Sequence, residues 1–318
     1  MDYLSSPSAE ALRGRDFLCL RDLTSLELHF VLEVAADLKA RQKASEPHPW
    51  LAGKSLAMIF QKSSTRTRVS FEVGMYQLGG QALFLSARDL QLGRGETIAD
   101  TARVLSRYVH GIMIRTYAQE EVEELARHAD VPVINGLTDL LHPCQALADL
   151  FTIKERLGGF AGRKLAYLGD GNNVAHSLLI GGAMVGLDVF IASPPGYEPK
   201  AQIVEEARRL ASSTGARIMV GNDPREAAQE ADVLYTDVWA SMGQEAEAEA
   251  RRRVFAPYQL NAEVLSWAKP GALVMHCLPA HRGEEIADEV IDGPNSVVWD
   301  QAENRLHTQK ALLLLLLR

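Results

Sequence analysis

The sequence has little cysteine, no surplus of positive charge and no apolar run long enough to cross a bilayer. Its three cysteines, Cys19, Cys144 and Cys277, lie far apart and in no metal-like spacing. That is too few for a disulfide framework and suits a reducing compartment. Lysine and arginine total 33 against 41 aspartates and glutamates, a formal net charge of −8. This balance argues against a general nucleic-acid binder, so functional arginines must act locally. The leucine run at 312–317 is six residues, against the ~20 that span a membrane, and reads as the end of a buried C-terminal helix. Residues 1–15 are polar and lack the apolar core of a secretory leader. The expected address is the cytoplasm, with neither membrane nor nucleic acid as a partner.

A length of 318 residues, 47% hydrophobic and 23% charged, suits two compact soluble domains. The first helix is signposted by Thr24 and Glu27, a capping box, followed by the apolar stripe Leu28, Val31, Leu32 and Ala35. Short β-rich runs then alternate with helical patterns. Strands are expected at 55–61, 82–85, 111–115 and 131–134, and in a second set at 164–169, 188–192, 217–220, 232–236, 272–276 and 297–299. Alternation of this kind implies α/β architecture: two doubly wound, Rossmann-like domains with parallel sheets and helices on both faces. A long helical pattern over 143–157 separates the sets, with Pro143 at its first position and Gly158-Gly159 at its end. It is expected to bridge the domains, 1–148 and 149–318, with the last helix (about 302–318) packing back on the first. Ligands in such folds sit at the carboxyl ends of strands.

Residues 63–68 read Ser-Ser-Thr-Arg-Thr-Arg, between an apolar strand and an amphipathic helix. A helix start carries unpaired N–H groups and partial positive charge. With hydroxyls and two guanidinium groups added, this turn can receive a dianion. The bland alternative is a capped helix start with solvated arginines. The Gly-rich run and Gly-Lys-Ser/Thr ending of a Walker loop are absent, so a nucleoside triphosphate is not the natural ligand.

His142-Pro143-Cys144-Gln145 opens the long helix, whose positive end would keep His142 neutral and able to donate to a carbonyl oxygen. Gln145 could meet an amide. A Cys144–His142 nucleophile pair is the rival reading. Gly169-Asp170-Gly171-Asn172-Asn173 imitates a dinucleotide fingerprint but has Val174 where the third glycine belongs. Asp188 could serve as its ribose acid, so NAD is not excluded by this segment alone. Two asparagines at a helix start can equally bind an amino-acid carboxylate. Asp237-Val238-Trp239-Ala240-Ser241-Met242-Gly243 follows a strand: Asp237 could hold an ammonium, Ser241 a carboxylate, and Gly243 could hinge a loop. His276-Cys277-Leu278-Pro279 also follows a strand. Neighbouring strand residues point to opposite faces, so no metal is expected there, and the Cys277 thiol can orient an amine proton. Arg305 adds a cation near the last helix.

Together these segments, with 100–105 (Asp-Thr-Ala-Arg-Val-Leu), resemble the transcarbamylase family over nearly the whole chain. The Asp237 and His276 segments resemble its ornithine branch rather than its aspartate branch. The resemblance implies transfer of a carbamoyl group from carbamoyl phosphate to the δ-amine of L-ornithine, giving citrulline for arginine synthesis, with no metal or organic cofactor. It implies that Ser64, Thr65, Arg66, Thr67 and Arg115 hold the phosphate and that His142 and Gln145 face the carbamoyl group. Pro143 and Cys144 of the same segment, Cys277, Leu278 and Arg305 complete that subsite. Gln91 would reach it from a neighbouring subunit of a homotrimer. Cys277, Arg115 and His142 would be catalytic, and Asn173, Asp237, Ser241 and Met242 would hold ornithine.

Overall fold

The computed structural model describes residues 3–92, 94–240 and 247–318. The chain divides into two compact units, Met1–Phe151 with Asn304–Arg318, and Thr152–Glu303. In the first unit, helices α1 (Pro7–Leu12) and α2 (Ser25–Lys43) precede the sheet. The Thr24 capping box forms: Thr24 Oγ1 receives the Glu27 N–H at 3.2 Å and Glu27 Oε2 receives the Thr24 N–H at 2.7 Å. Leu28, Val31, Leu32 and Ala35 are fully buried.

The sheet then builds by alternation of strands with helices: β1 (Ser55–Phe60), α3 (Thr65–Gln77), β2 (Gln81–Ser86), α4 (Ile98–Leu105), β3 (Gly111–Arg115), α5 (Gln119–His128) and β4 (Val133–Leu137). All pairings are parallel, in the order β2-β1-β3-β4. β3 is buried at every position, and β1 at all but its first, as strands covered on both faces should be. The order reverses direction between β1 and β3, so the crevice of this sheet opens beyond their carboxyl ends.

α6 (Pro143–Leu157) carries the chain across the unit boundary and stops where Gly158 takes φ 77°. The second unit contains β5 (Lys164–Leu168), α7 (Asn173–Val185), β6 (Asp188–Ala192), α8 (Ala201–Ala211), β7 (Ile218–Gly221), α9 (Pro224–Ala228) and β8 (Val233–Thr236). α10 (Ala248–Phe255), α11 (Ala262–Trp267), β9 (Leu273–His276) and α12 (Asp288–Ile291) complete it. Its parallel order is β7-β6-β5-β8-β9, which reverses between β5 and β8. α13 (Val298–Leu317) crosses back, and its leucines 312–317 are buried. Among the described residues no helix is long and apolar enough to cross a membrane.

Two strand expectations need correction. Residues 297–299 do not form a strand: Ser296 makes a single bridge to Val274, and Val298 already begins α13. The β-branched pair there is overridden by the long helical sequence that follows. The strand expected at 131–134 runs instead over Val133–Leu137, through Asn135-Gly136. Asn135 stays in the strand because its side chain is buried and donates to Leu18 O at 3.0 Å. At Gly136 a Cβ would come within 2.6 Å of the flexible Met113 Sδ and 3.1 Å of the Ile114 carbonyl, so the glycine fits a close approach to β3.

Candidate active site

The first unit gathers its cations at the crevice between β1 and β3. Ser64 caps α3, its Oγ receiving the Thr67 N–H at 3.1 Å, so the dianion-binding turn is a true helix start. Thr65 and Arg66 are its first two helical residues. Arg115 ends β3, 7% exposed, where the register with β4 breaks. Its carbonyl receives the Gln61 N–H at 2.9 Å, which ties the loop leading to Ser64 onto β3. His142 immediately precedes α6, with Pro143 at the first helical position. From α13, Arg305 donates to Thr67 Oγ1 at 3.1 Å and to Gln145 Oε1 at 2.8 Å. Gln145 Nε2 in turn donates to the buried Asp149 at 2.8 Å. Gln145, which the sequence expectation placed on a ligand amide, has its oxygen on Arg305.

Burial, followed by the charges of Arg305, Arg115 and Arg66, holds His142 well below the usual histidine range. The imidazole is therefore neutral at physiological pH and can polarise a carbonyl as an N–H donor. The sequence named only the helix end as the cause. A test follows from the sign of this shift. An unfolded His142 titrates near 6.5, while the native ring stays neutral below that. The unfolded chain then binds the extra proton, and stability falls as pH drops through about 6.5. His142→Gln should remove that loss, so its stability should gain on the wild type as pH falls from 7 to 5, with a slope that approaches about 1.4 kcal/mol per pH unit below pH 6 and a matching relative rise in melting temperature. Parallel melting curves across that range would show that His142 is ordinary.

Cys144 is no nucleophile. Its thiol is buried, donates to Asn135 O at 3.4 Å, and is pushed up to about 12 by burial. The protonated thiol packs under the helix start instead of pairing with His142. The sequence did not single out Lys62. It is 5% exposed, pairs with Asp139 and lies over the Tyr117 ring at 4.3 Å, just before the Ser64 turn.

The second unit places its polar motifs at its own switch point. Asn172 caps α7, its Oδ1 receiving the N–H groups of Val174 and Ala175, and its Nδ2 donates to Asp237 Oδ2 at 2.7 Å. Asp237 follows β8 and is 5% exposed. The Cys277 thiol donates to its other oxygen at 3.0 Å. Asn173 is the first residue of α7. Ser241, Met242 and Gly243, the last expected to hinge a loop, lie outside the described residues. Arg251 from α10 donates to Trp239 O at 2.8 Å and to Asp170 at 3.0 Å. Burial pushes Asp170 up to about 6 despite that guanidinium.

The strand argument that separated His276 from Cys277 fails, because β9 ends at His276 and the chain turns. Ligand atoms of Asp237, His276 and Cys277 lie within 4.8 Å of one another, as do those of His281, Glu284 and Glu285. In the first group the imidazole is already committed. Its Nδ1 receives the Leu278 N–H at 2.8 Å, so Nε2 carries the hydrogen and faces Glu285 Oε1 at 3.0 Å. That anchor fixes Leu278 in a left-handed conformation, φ 60°, rare for its side chain.

The dinucleotide reading loses its basis. Asp188 opens β6 rather than ending a strand, and its carboxylate receives Arg217 Nε at 2.8 Å. Gly171 is explained by packing, since a Cβ there would come within 2.2 Å of Pro199 N. Gln91 lies exposed in the loop after β2, where its carbonyl receives the Arg94 N–H at 2.7 Å.

Two parallel-sheet units, one with a cationic helix start and one with an Asn–Asp–Cys cluster, define a group-transfer enzyme of α/β class. The chain belongs to the aspartate/ornithine carbamoyltransferase family. The family's carbamoyl-P binding domain matches residues 15–155 and its Asp/Orn binding domain residues 161–316. The chain is 61% identical to ornithine carbamoyltransferase from Pyrococcus abyssi, covering 96% of this chain and 97% of the relative. It is equally identical to the anabolic ornithine carbamoyltransferase of Pyrococcus furiosus, covering 96% and 98%. The solved ornithine carbamoyltransferase structure from Pyrococcus furiosus superposes with a TM-score of 0.94 at 61% identity, covering 96% of this chain and 98% of that one.

Proposed function

We propose that this protein transfers the carbamoyl group of carbamoyl phosphate to the δ-amine of L-ornithine, releasing L-citrulline and phosphate in the direction of arginine synthesis. The observation that carries the reading is the neutral His142 surrounded by Arg66, Arg115 and Arg305. A site built for phosphate alone has no need of an uncharged imidazole among three guanidinium groups. A carbonyl attached to that phosphate does, because its oxygen gains negative charge during attack.

The phosphate is assigned to Ser64, Thr65, Arg66, Thr67 and Arg115, on the N–H groups of the α3 start and the guanidinium forks. Arg305 reaches the carbamoyl phosphate, and Gln145 both holds Arg305 and faces the carbamoyl amide. Asp237 receives the α-ammonium group of ornithine, Ser241 its carboxylate, Asn173 and Met242 complete the ornithine subsite, and Cys277 orients the reacting δ-amine. That amine, near pKa ~10 in water, must be neutral to attack, and a dry site favours the neutral form. Its lone pair adds to the carbamoyl carbon, and the carbonyl electrons move to oxygen, stabilised by Arg115, His142 and the Thr67 hydroxyl. The C–O bond to phosphate then breaks with its electron pair on the phosphate oxygen. The amine proton leaves with the phosphate, and no metal or organic cofactor enters this balance. Gln91, exposed on its loop, is assigned to the site of a neighbouring subunit in a homotrimer, in the cytoplasm.

A colorimetric citrulline assay offered ornithine, putrescine, N-acetylornithine and aspartate side by side tests the reading. Carbamoylation should be confined to ornithine. A preference for putrescine would break the assignment of a carboxylate subsite, and a preference for aspartate would overturn the branch.

A further inference from the structure

Gln309 lies one turn beyond Arg305 on α13, fully buried, just before a helix end made of leucines. A buried amide at that position costs desolvation that leucine would not, and no step of the proposed chemistry uses it. Its partners are specific. Arg305 Nε donates to Gln309 Oε1 at 2.9 Å, while Gln309 Nε2 donates to Ser70 Oγ at 2.7 Å. Ser70 Oγ then donates to the Arg66 carbonyl at 2.6 Å. Arginine can only donate, so the amide has one consistent orientation. The result is a one-way donor chain from Arg305 through Gln309 and Ser70 to the backbone of the α3 turn, all within the first unit.

We propose that Gln309 and Ser70 are positioning residues for carbamoyl phosphate, acting through Arg305 and the carbonyl of Arg66. The two Nη contacts of Arg305, to Gln145 and Thr67, set where the guanidinium ends; the Nε contact to Gln309 fixes its plane. The same amide reaches the first turn of α3, so the guanidinium and the helix start are held as one piece. Planar, bidentate recognition of a phosphate depends on that alignment. This inference rests on the phosphate assignment made above.

The test is Gln309→Met, which keeps length and burial but neither hydrogen bond. Loss of a hydrogen bond to a charged group predicts a rise in KM for carbamoyl phosphate of roughly tenfold to a hundredfold. KM for ornithine at saturating carbamoyl phosphate should move less than about threefold. Gln309→Glu still accepts from Arg305 but cannot donate to Ser70, and should fall between wild type and Gln309→Met. In an Arg305→Ala background Gln309→Met should lose most of its effect and keep only the smaller part carried by Ser70, whereas a merely structural role would add its full loss there. Ser70→Ala reads the same chain from the α3 side if Gln309→Met fails to fold. An unchanged carbamoyl-phosphate KM, or equal losses in both backgrounds, overturns the proposal. A wild-type chain that makes no citrulline defeats the functional reading with it, whereas an active wild type beside an unaffected Gln309→Met defeats this inference alone.

Discussion

Arg66→Ala is expected to remove carbamoyl-phosphate binding while leaving the chain folded. Arg66 is the second residue of α3, partly exposed, and its local structural duty falls on its backbone carbonyl, which receives Ser70. The helix keeps its Ser64 cap and its buried Phe71 and Met75 in the variant, so melting should shift little. The ligand, by contrast, loses a fork of charge-assisted donors. At ~1.5–3 kcal/mol each, two such bonds are worth a hundredfold or more in affinity. A second readout follows from electrostatics. Arg66 is one of three charges holding His142 down, so its removal should raise the His142 titration point towards the ordinary histidine range. Burial, the larger cause, remains, and the rise should stop short of it. Isotope-edited NMR of His142 reads this shift without any ligand. Near-normal turnover in Arg66→Ala would refute the phosphate assignment whatever the NMR showed.

The parts of this site that were legible in the sequence are those whose cause is local. Thr24 with Glu27 and Ser64 before the α3 stripe each announce a helix start, because a cap acts over three residues. The alternation of strands and helices announces parallel sheets, and sheets of that kind place ligands at strand ends. What stayed hidden depends on pairs far apart in the chain. Arg305 meets Thr67 across 238 residues and Gln145 across 160, and Gln309 meets Ser70 across 239. No periodicity or spacing carries such information. Two expectations gave way where a local rule met tertiary packing. The fourth strand, expected at 131–134, runs on through Asn135-Gly136 because Leu18 takes the buried amide and Met113 lies beside the glycine. His276 and Cys277 read as opposite faces of a strand until the strand is seen to end between them. Asn172, the partner of Asp237, was visible as one of two helix-start asparagines, but only the fold shows which one caps and bonds the carboxylate.

Asp237→Asn should damage ornithine binding far more than carbamoyl-phosphate binding. The substitution preserves shape, and asparagine can still receive Asn172 Nδ2 on its oxygen, so the α7 cap and the β8 end keep their link. What disappears is the charge. Asp237 is almost wholly buried, and a carboxylate there meets an incoming ammonium with little water to screen it. Removing one partner of such a pair leaves the other desolvated and uncompensated, at ~3 kcal/mol or more, which raises KM for ornithine about a hundredfold. The Cys277 thiol loses its acceptor as well, since the asparagine NH2 group now faces it. If Cys277 orients the reacting amine through that contact, kcat should fall in addition to the rise in KM, while KM for carbamoyl phosphate stays close to the wild-type value. Steady-state kinetics with each substrate varied in turn separates the two effects. A loss shared equally by both substrates would mean that Asp237 supports the fold of the second unit and not the amino-acid subsite. A loss in KM with kcat untouched would keep the ammonium assignment and remove Cys277 from the chemistry.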